Sequence, residues 1–517
     1  MQRRNLLSEP LGASRPGRGD RALDLATSVA PERRRALNRR PIAPGGGFVL
    51  YWMTAFRRLE WNAALEVAVD AAVELGRPLV ILEGLRADYP WASWRFHRFV
   101  MDGMVEHAAR LEGSPVTYFP YVEPAPGDGK GLLSALAEDA CLVVADDWPA
   151  FFHPRMLSAA SRLPVRVEAV DSCGLLPTRV ASQAYPSAYA FRRFLQRVLL
   201  EWLTGMPAPT PLERAPTIRA ELPPRVMERW PATAQGQLRD RIPGLRLVDA
   251  VGPTGLRGGA TAARELLGRF LARRLSRYAE ERSIPDENVV SGLSPYLHFG
   301  HISPHEVFAV LAETEGWAPD RLGSKATGKR EGWWGMSRPA EAFLDQLVTW
   351  RELGFNAAVH LPDFDKYASL PAWARTTLEE HSADRRPHRY TQDQLDAGET
   401  HDRLWNAAQR QLREEGTVQN YLRMLWGKKI LEWTASGEEA AQVMVTLNNR
   451  YALDGRDPNS YSGIFWCLGR YDRPWGPERP IFGKIRYMSS ANTARKFRVA
   501  GYIDRHGDDL GQPALPT

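Results

Sequence analysis

Two kinds of apolar pattern divide the chain. Up to about residue 170, short runs that are apolar at nearly every position alternate with longer segments of helical period. The runs are Phe48–Trp52, Leu79–Leu82, Val116–Phe119, Leu142–Ala145 and Val165–Val170, and the helical segments between them include Trp61–Leu75 and Arg95–Leu111. Strands that are apolar on both sides and separated by helices are typical of a parallel sheet covered on both faces. The pattern therefore predicts a doubly wound parallel-sheet α/β domain.

The second half of the chain changes character. Phe191–Leu203 reads as a helix, and the prolines at 207, 209, 211, 223 and 224 then form a stretch that neither helix nor sheet tolerates. After about Arg225, helical periods dominate, which predicts an all-helical domain. The predicted divisions are a flexible basic arm at 1–45, the α/β domain at 46–180, a linker with a helix and a Pro-rich segment at 181–226, the helical domain at 227–507 and a tail at 508–517. Within the arm, Pro31–Asn38 is predicted to form a short helix.

One helical stretch, Leu422–Trp433, carries an unusual pattern. Trp426 and Trp433 lie two turns apart, so both rings share a helix face about 10 Å apart along the axis. Trp405, on the preceding predicted helix, is placed to extend this line, while Lys428 and Lys429 are predicted on the opposite side. An aromatic stripe fills a core more often than it carries electrons, so spacing alone leaves both interpretations open.

Composition narrows the class of protein. The 517 residues are enough for two or three domains, and 44% hydrophobic with 25% charged residues is typical of a soluble globular protein. The net charge of +6 suits a polyanionic partner, and 17 tryptophans suit base stacking or flavin packing. The three scattered cysteines indicate a reducing cytoplasm and no structural zinc. No apolar run approaches the roughly 18 residues that span a bilayer.

The loop before a predicted helix start at Pro295 delivers free backbone N–H groups. Ser291, Gly292, Leu293 and Ser294 form this loop, which suits an anion such as a pyrophosphate, although an ordinary helix cap remains the alternative. No G-x-G-x-x-G follows the first strand, which argues against a dehydrogenase.

Several motifs occur together in one order. They are S-G-L-S-P-Y-L-H-F-G-H-I-S from Ser291, T-H-D-R-L-W-N-A-A-Q from Thr400, R-M-L-W-G-K-K-I-L-E-W from Arg423, L-D-G-R-D-P-N from Leu453 and F-G-K-I-R-Y from Phe482. This set resembles the class II cyclobutane pyrimidine dimer photolyases of the photolyase/cryptochrome family, and the resemblance extends upstream to about Pro44. It implies an N-terminal antenna domain, a C-terminal helical domain that binds FAD, and light-dependent repair of UV-induced pyrimidine dimers in DNA by a carbon–carbon lyase. A second antenna chromophore, a deazaflavin or a folate, is part of the same expectation, as is a monomer.

The resemblance also implies roles for individual residues. Trp426, Trp405 and Trp433 would carry electrons inward, and Arg423 would pair with Asp454 across the flavin. Asn448 and Asn459 compete for the flavin N5 edge, and Asn448 is preferred. The implied FAD contacts are Tyr278, Ser291, Gly292, Leu293, Ser294, Arg351, Arg423, Asn448, Asp454 and Asn459. The implied contacts with the lesion and with DNA are Gln346, Trp350, Asn420, Met424, Trp466, Lys428, Lys429 and Arg486.

The chain departs from the family pattern at three places. Gln346 stands where the family has Glu, Gly292 where it has Asn, and Gln419-Asn420 where class II enzymes have His-Gly. An amide hydrogen-bonds a base but cannot donate a proton as an acid. Gln346 therefore keeps a second hypothesis open, a cryptochrome-like FAD photoreceptor with weak or no repair. A third, a non-photochemical nucleic-acid-binding protein, has only basicity and tryptophan content in its favour.

Overall fold

Six strands form one sheet in the computed structural model, which describes residues 25–240, 242 and 244–507. The strands are β1 (Arg34–Ala36), β2 (Phe48–Met53), β3 (Leu79–Leu85), β4 (Thr117–Val122), β5 (Ala140–Asp146) and β6 (Arg166–Val170). Their order is β1-β6-β5-β2-β3-β4, and every neighbouring pair is parallel except β1 with β6. The predicted doubly wound parallel sheet is confirmed, with an antiparallel edge strand added.

Both faces of the sheet are covered by helices α1 (Ala63–Leu75), α2 (Trp94–Leu111), α3 (Leu132–Ala137) and α4 (His153–Ala160). Val49 and Tyr51 of β2 belong to the core on one face, whereas Leu50 and Trp52 belong to the core on the other. Because side chains alternate along a strand, a strand buried on both faces must be apolar at consecutive positions. This explains the unbroken apolar runs in the sequence.

The prediction of a mobile arm is wrong for residues 25–45. Pro31–Arg33 form a 3₁₀ turn, and Arg34–Ala36 then pair with β6, so the predicted helix at Pro31–Asn38 is wrong as well. The buried Arg33 guanidinium also donates to the carbonyl of Leu175 at 2.7 Å. The exposed edge of β6 offers unpaired backbone groups, and the arm satisfies them. Residues 1–24 and the tail at 508–517 lie outside the described residues.

The rest of the described chain is helical. The helices are α5 (Ala188–Thr204), α6 (Pro224–Arg229), α7 (Gln235–Arg239), α8 (Ala260–Arg273), α9 (Leu275–Glu281), α10 (Ser294–His298), α11 (Pro304–Thr314), α12 (Arg338–Leu344), α13 (Arg351–His360), α14 (Ala372–Glu380), α15 (Gln392–Ala397), α16 (Arg403–Glu415), α17 (Asn420–Trp433), α18 (Gly437–Tyr451), α19 (Pro458–Trp466), α20 (Ser490–Lys496) and α21 (Ala500–His506). Side chains of α6 and α7 pack on the α/β domain, since Val226 and Leu238 lie in its cores.

One turn departs from regular geometry. Asp345–Trp350, between α12 and α13, is π-helical, so the continuous α-helix expected through Phe343–Leu353 is interrupted. Such widened turns are rare and occur mostly at functional sites. Asp345 within this turn is buried and paired with Arg192 of α5 at 2.7 Å, which ties the turn to the helix that follows the sheet.

Candidate active site

Three tryptophans of α16 and α17 form a buried line. The rings of Trp405 and Trp433 meet edge to face with centroids 5.3 Å apart, and the indole N–H of Trp405 donates to the carbonyl of Trp426 at 3.0 Å. The indole N–H of Trp426 donates to Gln409 at 2.8 Å. Trp405 therefore lies in the middle of the line, between Trp426 and Trp433, rather than at its end. All three side chains are buried.

The line approaches the surface beside Tyr390 and His401, which the motif reading did not single out. Their ring centroids lie 5.3 and 5.5 Å from that of Trp433. The Tyr390 hydroxyl is 2.7 Å from Nδ1 of His401, and His401 is exposed. His401 belongs to the T-H-D motif, so its presence was visible in the sequence, but its contact with Trp433 depends on how α16 and α17 pack.

The predicted ion pair between Arg423 and Asp454 is confirmed. Two parallel hydrogen bonds, of 3.0 and 3.2 Å, join the guanidinium to the carboxylate. Burial raises the pKa of Asp454, but the charge of Arg423 and hydrogen bonds from Arg423 and Ser294 outweigh it, so this pKa lies below its usual value. Arg423 precedes Trp426 by one helical turn. The charge pair and Trp426 are therefore about one turn apart along α17.

The loop at 291–294 adopts the backbone that its sequence requires. Gly292 has φ of 72°, in the left-handed region that Gly and Asn tolerate best, so the change from the family's Asn keeps a compatible residue there. Ser291 accepts a hydrogen bond from the N–H of Leu293 at 3.4 Å. Helix α10 has only five residues and no side-chain cap, so the ordinary N-cap alternative is not what the structure shows. Ser294 is exposed, and its hydroxyl helps to lower the pKa of Asp454.

Two other predicted FAD contacts lie deeper. Tyr278 is buried against Phe270 and Phe343, with ring centroids at 5.5 and 5.7 Å. Arg351 is buried and donates to the carbonyl of Cys173 at 2.6 Å, in the loop after β6. Arg351 therefore joins the helical domain to the α/β domain, a contact that the sequence did not indicate.

One face of α17 runs from solvent into the core of the helical domain. Asn420, Met424 and Lys428 follow one another at intervals of four residues: Asn420 is exposed, Met424 half-buried and Lys428 buried. The methyl group of Met424 and the ring of Trp466 both lie along α19, which this face packs against. Asn420, Met424 and Trp466 are thus brought to one side of the domain.

The prediction that Lys428 and Lys429 contact DNA phosphates is wrong. Lys428 donates to the carbonyl of Cys467 at 2.7 Å, and burial lowers its pKa to about 8. Lys429 lies over the ring of Trp433 at 5.0 Å and pairs with Glu432 at 2.8 Å. Every residue of α17 from Leu425 to Leu431 is buried, so Lys428 and Lys429 do not mark a solvated face. Arg486, in contrast, is exposed, and its guanidinium lies 5.0 Å from the ring of Trp475.

Several site amides have no partner among the described residues. The side-chain amides of Gln346, Asn420 and Asn459 receive and donate no hydrogen bond there, although each residue is at least partly exposed. Trp350 and Trp466 are likewise half-buried. Unpaired amides and partly exposed indoles suit a planar, polar ligand better than a closed core.

The two asparagines that compete for one role occupy different environments. Asn448 is buried and donates to the hydroxyl of Ser460 at 2.7 Å, whereas Asn459 is exposed at the start of α19. The backbone of Asn459 lies so close to Gly354 that a Cβ there would be 2.8 Å from it. Their assignment to a flavin edge stays a prediction.

A sheet domain joined to a helical domain with a buried indole line defines the photolyase and cryptochrome class of architecture. A solved structure of a bacterial class III photolyase from Agrobacterium tumefaciens is similar, with a TM-score of 0.63 and 18% identity over 89% of this chain and 86% of that one. No family model matches the chain. Among the described residues, no group of three His, Cys, Asp or Glu side chains is placed to hold a metal ion.

Curated relatives identify the family. The deoxyribodipyrimidine photo-lyase of Methanothermobacter thermautotrophicus is 33% identical over 479 residues, which cover 92% of this chain and 98% of that protein. The enzyme of the same name from Oryza sativa is 34% identical over 90% of this chain and 89% of its own length, and that from Arabidopsis thaliana is 30% identical over 92% of both. The chain belongs to the deoxyribodipyrimidine photo-lyase family. Membership of class II stays a prediction from the motifs.

Proposed function

We propose that this protein repairs UV-induced pyrimidine dimers in DNA by light-dependent electron transfer, with FAD as its cofactor. The observation that carries the proposal is the buried line Trp426–Trp405–Trp433, which runs from Tyr390 near the surface to the Arg423–Asp454 pair. When bound and reduced, FAD supplies the light-excited electron donor. The names of the curated relatives favour repair over the photoreceptor alternative.

The residues present fit such a cofactor. Ser294 and Gly292 are exposed in the loop before α10, and Asn459 offers an unpaired amide at the start of α19. Arg423 and Asp454 hold complementary charge in a water-poor setting, where it stabilises a neighbouring charge more strongly than in water. Tyr278, Leu293, Arg351 and Asn448 complete the proposed set.

The proposed lesion site lies on the outer side of these residues. Trp350 and Trp466 would offer aromatic faces to the lesion, and Met424 would offer an apolar contact. Asn420 and Gln346 would offer their unpaired amides. A damaged dinucleotide would reach them by flipping out of the duplex, which is easiest for bases already unstacked by damage. Exposed Arg473, Lys484 and Arg486 around Trp475 would bind the neighbouring phosphates.

A repair assay with a variant at Gln346 tests this proposal. The purified protein should split cyclobutane dimers under blue light and not in darkness, and Gln346→Glu should raise the repair rate about fivefold, because a charge-assisted hydrogen bond to the base is stronger than a neutral one by ~1 kcal/mol. Repair is measured as loss of dimers from an oligonucleotide, with a (6-4) photoproduct substrate in parallel.

Gln346→Leu is the control, since it removes hydrogen bonding without changing the volume much, and it should lower the rate. A wild-type protein that binds FAD but repairs neither lesion would favour the photoreceptor. An unchanged or lower rate for Gln346→Glu would show that Gln346 does not contact the base.

A second chromophore fits a cavity in the α/β domain. The cavity, of about 730 Å³, lies at the carboxyl ends of the parallel strands, with Trp52, Tyr121 and Phe152 among its aromatic residues and Arg57 and Lys130 among its basic ones. Open α/β sheets bind ligands at this edge, where the strand order reverses. We propose that a deazaflavin or folate binds here, next to His298 and Arg456 of the helical domain.

Filling the cavity tests this assignment. A Cβ on Gly84 would meet no atom within 4 Å, so Gly84→Phe should occupy the cavity without moving the backbone. We expect loss of any second chromophore from the absorption spectrum, with FAD content and repair in saturating light retained. A second chromophore that persists in this variant would place it elsewhere.

We also propose a cytoplasmic monomer. All three cysteines are free and buried, which suits a reducing compartment. Among the described residues, no helix is long and apolar enough to cross a membrane.

A further inference from the structure

Two neighbouring asparagines on α18 are hydrogen-bonded to two neighbouring residues on α19. Asn448 donates to the hydroxyl of Ser460 at 2.7 Å, and Asn449 donates to the hydroxyl of Tyr461 at 3.0 Å. All four side chains are buried. Of these residues, only Asn448 was assigned a role from the sequence.

The orientation of both amides follows from one backbone group. The N–H of Arg456 is an unambiguous donor, and it lies 2.9 Å from Oδ1 of Asn449, so this end of Asn449 must be its oxygen. The same oxygen lies 3.3 Å from the side chain of Asn448, which must therefore present its nitrogen. Both hydrogens of the Asn448 nitrogen are then used, one on Asn449 and one on Ser460.

The remaining atom, Oδ1 of Asn448, is left as a hydrogen-bond acceptor. It receives no hydrogen bond from the described residues, and it is not one of the polar atoms buried without a partner, so it faces accessible space. Turning the amide over would bring its oxygen against Oδ1 of Asn449. The network therefore presents an acceptor, and not a donor, to whatever occupies that space.

Arg456 is held firmly enough to act as the reference. Its φ of 64° lies in the left-handed region, which is costly for a residue with a side chain. The guanidinium compensates: it lies 3.6 Å from the ring centroid of Phe96 and donates to the carbonyl of Asn449. The backbone N–H is thus fixed by contacts on both sides.

We propose that Ser460, Asn449 and the backbone N–H of Arg456 are positioning residues that lock the oxygen of Asn448 toward the flavin N5 edge. The inference rests on the proposed function and deepens it. Flavin N5 accepts hydrogen bonds when oxidised and carries a hydrogen to donate when reduced. A locked acceptor therefore favours the reduced cofactor, and removing one of the two hydrogen bonds that hold the Asn448 nitrogen weakens this preference.

The test is the reduction potential of bound FAD in Ser460→Ala, followed by absorbance during stepwise chemical reduction. Loss of the Ser460 acceptor should lower the equilibrium constant for reduction about tenfold, which is ~30 mV for a two-electron couple. Ser460→Thr keeps the hydroxyl and should restore the wild-type value. Ser462→Ala, the matched control, removes another buried hydroxyl of α19, bonded at 3.3 Å to Tyr471, and should change nothing.

A double-mutant cycle separates positioning from a general structural effect. If Ser460 acts through Asn448, the effect of Ser460→Ala should disappear in an Asn448→Leu background. Ser460→Cys provides a second variant, because a thiol is a weak acceptor. An unchanged potential in Ser460→Ala, or an equal drop in the Asn448→Leu background, would overturn the inference while leaving the proposed function intact. A wild-type protein that binds no FAD would overturn both.

Discussion

Replacing Trp405 with phenylalanine should slow light-driven reduction of bound FAD by about a hundredfold, equivalent to ~2.7 kcal/mol of barrier. Trp405 is the middle ring, in edge contact with Trp433 and hydrogen-bonded to the backbone of Trp426. Phenylalanine keeps the apolar volume but is much harder to oxidise, so the line is broken at its centre. The measurement is the loss of oxidised-flavin absorbance under blue light with an external thiol as reductant.

Two controls define this result. When the protein is reduced chemically beforehand, Trp405→Phe should repair dimers at close to the wild-type rate. The tryptophan line serves only to reduce the cofactor and does not contact the lesion. Trp202→Phe changes another buried indole, on α5 and off the line, and should leave photoreduction unchanged. Normal photoreduction in Trp405→Phe would mean that electrons enter by another route.

Replacing Arg423 with leucine should destabilise the fold by about 3–5 kcal/mol and abolish FAD binding, because it leaves the buried carboxylate of Asp454 without its partner. Asp454 would keep its burial but lose both hydrogen bonds to the guanidinium. Chemical denaturation gives the free energy of unfolding, and the flavin absorbance of the purified protein gives cofactor content. The double variant Arg423→Leu/Asp454→Leu should regain much of the stability, since no charge is then left unpaired.

The loss of folding stability in Arg423→Leu should depend on pH in a defined direction. In the wild-type protein, burial raises the pKa of Asp454, but Arg423 lowers it by a larger amount. The pKa of Asp454 in the folded protein therefore lies below its value in the unfolded chain. The pair therefore contributes stability above the unfolded pKa, and this contribution is lost as pH falls through the folded pKa. In Arg423→Leu the lowering by Arg423 is lost while that by Ser294 remains, so the pKa of Asp454 rises relative to its wild-type value and the deficit in stability should shrink as the pH is lowered. A deficit that does not change with pH would exclude Asp454 as its cause.

The architecture was largely accessible from the sequence. Strands buried on both faces must be apolar at successive positions, so the five runs from Phe48 to Val170 identified β2 to β6 to within a few residues. The spacing of Trp426 and Trp433, and the pairing of Arg423 with Asp454, were read from helical periodicity and motif order. The glycine at position 292 also agrees with the left-handed backbone conformation that the structure shows there.

Local patterns along the chain were enough to give the order of the elements, the division into α/β and helical domains and the residue types gathered at the site. Four features became visible only once the chain was folded: β1 completes the sheet, Lys428 and Lys429 turn inward, Trp405 is the middle ring and Asn448 presents its oxygen. Periodicity is a property of one segment, whereas burial of a lysine or the orientation of an amide depends on donors and acceptors contributed by other helices. Those partners lie far away along the chain, and packing alone brings them within hydrogen-bonding distance.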